Sequence, residues 1–199
     1  MRLMNNANND TSQKNISFIC KTIIDESKRL EKMVTDAAVY SDMYEKETDY
    51  SSISVKSLIS AAIDKLNGKA ESTLNITIKM HPDDLMIEGD AKDLELLFTN
   101  IFNHCLEITG DNRPDISISA APDFLSPFVE IEILNKGLFQ KPEEIQNAFV
   151  PFYASNPDGT GFGLSIARLA ARKSLGDIYL ESLPEEGMRY LVKLPVKIN

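Results

Sequence analysis

The chain has 199 residues, room for one large domain or a smaller domain with a helical appendage. Apolar residues make up 43%, which excludes wholesale disorder, yet no run of them comes near the roughly 18 that a membrane span needs. Twenty-one basic against 30 acidic residues leave a net charge of -9, which argues against a nucleic-acid-binding face and requires any anion site to be built locally from backbone amides.

In chain order, residues 1–13 are rich in Asn and read as a disordered tail or loop remnant, with no apolar core of a secretory signal. From Asn15, Ile16, Ile23, Leu30, Ala37 and Tyr44 recur every seven residues, with Ile19, Met33 and Tyr40 between them. The pattern predicts an amphipathic helix over 14–46, whose stripe needs a partner: the rest of the chain or a second copy. Cys20 and Cys105 form neither a disulfide framework nor a zinc pattern and read as two reduced, partly buried thiols of a cytoplasmic protein. Lys46 to Ser52 reads as a linker.

A second module occupies 53–199. Val55 to Leu66 has helical spacing and stops at Asn67-Gly68. Leu74 to Met80 alternates like a half-buried strand, and Leu85 to Ile87 is a short apolar stretch after a turn. Asp90 is placed to cap a helix to about Ile108, with Leu94, Leu97, Ile101, Cys105 and Ile108 as its stripe. Ile116 to Ser119 and Phe128 to Leu134 read as strands, Pro142 to Ala148 as a short helix. A glycine-rich loop from Gly159 leads into a helix to about Leu175, then Asp177 to Ser182 and Arg189 to Leu194 form a hairpin. The expected class is α+β: a mixed or antiparallel sheet with helices on one face, preceded by one long helix.

The chemistry is concentrated in Gly159-Thr160-Gly161-Phe162-Gly163-Leu164-Ser165. Three alternate glycines let the backbone bend and come close to a ligand, and the helix behind them offers unpaired amides to an anion. The pattern is neither a phosphate loop with GK[ST] nor a dinucleotide-binding fingerprint, and a glycine loop alone would do no more than connect to a helix.

Its company gives it meaning. Phe149 to Ala167, FVPFYASNPDGTGFGLSIA, resembles the phenylalanine box and second glycine box of sensor histidine kinases, with the lid length of the short-lid, nitrogen-regulation type. Asn100 to Thr109, NIFNHCLEIT, resembles the asparagine box, and Ile133 to Phe139, ILNKGLF, lies where the first glycine box belongs. The long helix, with Glu26 to Leu30, is similar to the second helix of the dimerisation and phosphotransfer hairpin. The resemblance implies a histidine-kinase-like ATP-binding fold, a two-layer α/β sandwich, with Asn100, His104, Asn135, Gly137, Asn156, Gly159, Thr160, Gly161, Gly163 and Leu164 around the nucleotide. It also implies two-component partners, a receiver domain or a partner kinase, and a homodimer through 14–46.

Four positions depart from the family pattern. His104 stands where an asparagine oxygen binds Mg²⁺, a poor exchange for a hard, oxygen-seeking cation, and Asn103 is turned about 100° away along the helix. Asn135 replaces the aspartate that accepts the adenine amino group, keeping an acceptor without its charge. Phe139 replaces a glycine and would crowd the space beside the base. Asn156 replaces a lysine near the phosphates. The two histidines, His81 and His104, are not on the dimerisation helix, so the usual phosphoacceptor is not carried by this chain. The expectation is a degenerate module of two-component signalling, with ATP and Mg²⁺ bound weakly or not at all, acting through protein contacts. The alternative is the C-terminal part of a working ATP-dependent kinase, and a phosphotransferase or anti-sigma-type relative ranks third.

Overall fold

The computed structural model of the chain describes residues 2–67, 75–110, 113–154, 156 and 159–196. Helix α1 runs Arg2–Glu45. The Asn-rich opening expected as a tail is its first turns, because no Gly or Pro interrupts the helix before Glu45. A ribbon strand β1 (Ser51–Ser54) follows directly and leads into α2 (Val55–Asn67). Gly68, expected as the helix stop, and Leu74, expected to start the next strand, lie outside the described residues.

The remaining elements are β2 (Asn75–Met80), β3 (Met86–Gly89), α3 (Ala91–Thr109), β4 (Asp115–Pro122), β5 (Phe128–Lys136), α4 (Pro142–Asn147), α5 (Gly163–Lys173), β6 (Asp177–Leu183) and β7 (Gly187–Pro195). Five strands form one sheet in the order β2-β4-β5-β7-β6, with β2 parallel to β4 and every other neighbour antiparallel. β1 and β3 pair antiparallel as a separate ribbon, Ile53 opposite Ile87. Ser51–Ser54 was expected as linker and module start. Its serines give no strand signal, and the partner supplies the order.

The sheet has one oily face and one wet face. Ile116, Ile118, Val129, Ile131, Ile133, Val192 and Leu194 point to the helices and are essentially inaccessible. Leu94, Leu97, Ile101 and Cys105 of α3 meet them, as the stripe predicted, and each such aliphatic side chain contributes about 1.5–3 kcal/mol of burial. Ile108, the last member of that stripe, is only half-buried, because the helix end swings it to a cleft. The opposite face carries cross-strand charge pairs: Lys136 to Asp115 at 3.2 Å, Arg189 to Glu132 at 3.5 Å, Arg189 to Glu181, and Lys193 to Glu130. A face so charged stays in water, so among the described residues helices cover one side of the sheet and the fold has two layers.

Asp90 fixes α3 at its start. Its side chain accepts from the amides of Lys92 and Asp93, and from the Lys46 ammonium at 3.1 Å and the Asp49 amide at 3.3 Å. Burial works against the Asp90 charge, but the Lys46 ammonium and these amides hold its carboxyl below the ordinary range. The same residue therefore caps α3 and ties down the chain leaving α1. Cys105 is buried, but Cys20, expected to be partly buried, is exposed on α1, where no neighbouring element covers it.

Candidate functional site

The face of α3 away from its buried stripe presents Asn100, Asn103, His104, Glu107 and Ile108 to a cleft. Their spacing of three, four, seven and eight places them on one side of the helix. This corrects the expectation for Asn103. A turn of 100° from His104 leaves it on the flank of a broad stripe, inside the cleft. Across from α3 stand Tyr153, Ala154, Asn156, Gly159, Thr160, Gly161, Gly163 and Leu164, and the third side is Gln140, Glu144 and Ala148.

The glycine loop is folded as its sequence demands. Gly161 has φ 74°, and a Cβ there would lie 2.5 Å from the Phe152 carbonyl carbon. Only glycine serves at such a point. Phe152 and Phe162 stack edge to face at 4.6 Å, binding the phenylalanine segment to the loop. α5 starts at Gly163 behind Phe162, with no side chain capping its first amides. Asn100 Nδ2 donates to Leu96 O at 2.9 Å, and its Oδ1 is 3.4 Å from where a Gly163 Cβ would be, so Asn100 buttresses the start of α5. Ser155, Pro157 and Asp158 of the lid lie outside the described residues.

Eight of the ten residues assigned from sequence share this cleft: Asn100, His104, Asn156, Gly159, Thr160, Gly161, Gly163 and Leu164. Asn135 and Gly137 do not line it. Asn135 is fully buried at the end of β5. Its Nδ2 donates to Cys105 O at 3.1 Å and to Thr109 Oγ1 at 3.2 Å, while Oδ1 is buried with no partner. A backbone carbonyl can only accept, so the amide orientation is fixed and an acceptor oxygen is left over. Gly137 turns the chain after β5 with φ 75°. Phe139 is 65% exposed and lines, with Leu138, a shelf that adjoins the cleft through Glu107, Ile108 and Asn156.

His104 is where the chemistry departs furthest. Its Nδ1 lies 2.7 Å from the hydroxyl of Tyr190, a fully buried residue of β7 that also touches Cys105. Burial pushes the imidazole down to about 4, so the ring is neutral at pH 7. Tyr190 went unnoticed in the sequence, as its inward position on β7 is legible but its pairing 86 positions away is not. The His104 ring does not fit Mg²⁺: one ring nitrogen faces the Tyr190 hydroxyl, and the other is a soft substitute for oxygen.

The fourth side of the cleft was not foreseen at all. Lys32 of α1 lines it. Arg29 Nε donates to Gly159 O at 3.2 Å, Thr160 Oγ1 donates to Asp36 Oδ2 at 2.6 Å, and Tyr40 packs on Phe162 at 5.9 Å. Arg29, Lys32, Asp36 and Tyr40 lie three or four apart, one face of α1 given over to the loop. With α1 seated there, the cleft encloses about 60 Å³ of water-accessible space, against roughly 300–1,000 Å³ for pockets that hold small-molecule ligands. Burial pushes the Glu107 carboxyl up; Lys32 opposes and Asp36 adds to it.

The family described as histidine kinase-, DNA gyrase B-, and HSP90-like ATPase matches residues 89–198. Sensor histidine kinase AtsR of Burkholderia thailandensis is 22% identical over 187 residues, 89% of this chain and 31% of that protein. Sporulation kinase B of Bacillus subtilis is 26% identical over 197 residues, 96% of this chain and 44% of that protein. The chain thus spans less than half the length of these relatives. The catalytic domain of histidine kinase ThkA superposes with TM-score 0.65 at 23% identity, covering 74% of this chain and 95% of that one. Full-length ShkA, solved in complex with AMPPNP, superposes with TM-score 0.72 at 16% identity over 85% of this chain and 36% of its own. At such identities the structures speak for the fold.

Proposed function

Because the chain belongs to the histidine kinase-, DNA gyrase B-, and HSP90-like ATPase family, with the ATP-binding domain of the sensor-kinase type, we propose that it is a degenerate module of two-component signalling. It takes nucleotide weakly and acts by contact with a receiver domain or a partner kinase.

The observation that carries this reading is His104, standing at the cleft wall opposite the glycine loop where the family places an oxygen, with its ring bonded to Tyr190. Two further features support it. Asn135 offers an uncharged acceptor, and a neutral hydrogen bond is worth about 1 kcal/mol less than a charge-assisted one. α1 occupies the loop groups and narrows the cleft. If such losses are independent, a few at about 1 kcal/mol each compound to roughly a hundredfold to thousandfold.

The test is calorimetric titration of ATP and ADP with Mg²⁺ into the chain and into a double variant, His104→Asn with Asn135→Asp. The wild-type chain is expected to bind near millimolar or weaker, and the double variant at least tenfold tighter. Low-micromolar binding by the wild type with no gain in the variant would replace this reading by that of a working ATP-dependent kinase domain.

A further inference from the structure

We infer that the cleft admits nucleoside di- or triphosphates as metal-free anions, with the His104 Nε2–H donating to a phosphate oxygen in place of a bridging Mg²⁺. This deepens the weak-site reading and rests on it.

One hydrogen atom decides the polarity of the ring. Tyr190 is fully buried, so its hydroxyl hydrogen must find a partner inside the protein. Two acceptors are within reach: His104 Nδ1 at 2.7 Å and the Cys105 sulfur. An imidazole nitrogen is a strong acceptor and a thiol sulfur a weak one, which favours the phenol donating to Nδ1 over the arrangement in which Nδ1–H donates to the phenol oxygen and the phenol to Cys105. Nδ1 is then the bare nitrogen, and in the neutral ring the proton sits on Nε2. A nitrogen carrying a proton in the ring plane has no lone pair for a cation. It has a hydrogen for an anion.

The surroundings agree with that polarity. His104 shares the cleft with Thr160, Gly161 and Gly163 at the start of α5, whose first amides no side chain caps, and with Lys32 of α1, whose ammonium lies 3.8 Å from Asp36 Oδ2; the Gly159 amide already donates to Asn156 O at 3.0 Å. Three kinds of donor therefore line it: helix-start amides, an ammonium and an imidazole N–H. Two carboxylates line the cleft: Glu107, whose carboxyl burial pushes up while Lys32 opposes, and Glu144, whose Oε2 accepts from the Lys141 amide at 2.9 Å. A free phosphate finds hydrogens in these donors, while the His104 ring offers a divalent cation no oxygen.

The experiment is a titration of ADP and of ATP into the ¹⁵N-labelled full chain, once with EDTA and once with excess MgCl₂. It follows the amides of Gly159 to Gly163 and the His104 ring nitrogens, with His104→Asn in parallel. The two wild-type dissociation constants are expected to agree within about threefold, and the asparagine variant to show tightening by Mg²⁺ of about tenfold or more. Should that variant fail to fold, the wild-type ring decides, with the proton expected on Nε2. Mg²⁺ tightening beyond about threefold in the wild type, or a proton found on Nδ1, overturns the inference and leaves the weak-site reading standing. So does the absence of any shift at about 10 mM nucleotide in both buffers. Low-micromolar, Mg²⁺-dependent binding overturns both.

Discussion

At the scale of single residues, His104 links stability to pH in a direction the geometry fixes. Its folded pKa of about 4 lies below the ordinary histidine value of 6.5, so between these values the unfolded chain binds more protons than the folded one. Stability from this group is complete above pH 6.5 and is lost as the pH falls towards 4. The groups facing the ring are the Tyr190 hydroxyl and the Cys105 thiol behind it, with Glu107 on the next turn and Lys32 and Asp36 across the cleft. The thiol and phenol are both pushed up by burial and stay neutral throughout this range. Urea unfolding at pH 7 and pH 5 should show the wild type losing about 1–2 kcal/mol more than His104→Asn on acidification. Equal losses would mean that the ring charges freely and that its burial does not hold it neutral.

At the scale of elements, α1 acts on the site through one face. The Thr160–Asp36 hydrogen bond joins a hydroxyl to a carboxylate at 2.6 Å in a half-buried setting, a contact worth about 1.5–3 kcal/mol. Asp36→Ala should therefore speed hydrogen exchange of the Gly159 to Gly163 amides by about tenfold or more and let nucleotide bind several-fold tighter, since the loop regains its freedom to open. Unchanged exchange would show that α1 merely rests against the lid. None of these contacts was legible beforehand. Periodicity marks which face of a helix is apolar, and Arg29, Lys32 and Asp36 belong to the face that reads as solvated. The elements themselves were readable wherever one residue type dominates the local physics: Asp90 as a cap, alternation in FVEIEIL, glycines before α5. β1 was not, because SSIS becomes a strand only through β3. The parallel pairing of β2 with β4 likewise depends on a crossover that no local pattern encodes. The site divides in the same way. The glycine loop and the α3 face were visible as motifs, while the Tyr190 lock and the α1 wall come from chain segments far apart in sequence.

At the scale of the whole molecule, the heptad stripe on α1 splits in two. Ala37 and Tyr40 are half-buried against the sandwich, as the partner requirement foresaw, Met43 beside them is buried, and Met33 is half-buried. Ile16, Ile19, Ile23 and Leu30 remain 55–62% exposed, with Phe18, Ile24 and Val34 beside them. The sandwich does not reach these residues, and a row of large apolar side chains along a helix is an association surface by default. A second copy of the same helix offers the same row, so a two-fold pairing would cover both stripes at once. The lid contacts and this stripe use different side chains of α1, so pairing and gripping the loop are compatible, and a dimer would carry two clefts whose lids are held by one helical spine. Sedimentation at rising concentration should reveal a dimer, and Ile23→Lys with Leu30→Glu should shift it to monomer without altering hydrogen exchange at Gly159 to Gly163. A wild type that stays monomeric at several hundred micromolar would show that this face is not a self-association surface. Loss of lid protection in the charged variant would show instead that pairing of the spine is what seats α1 on the loop.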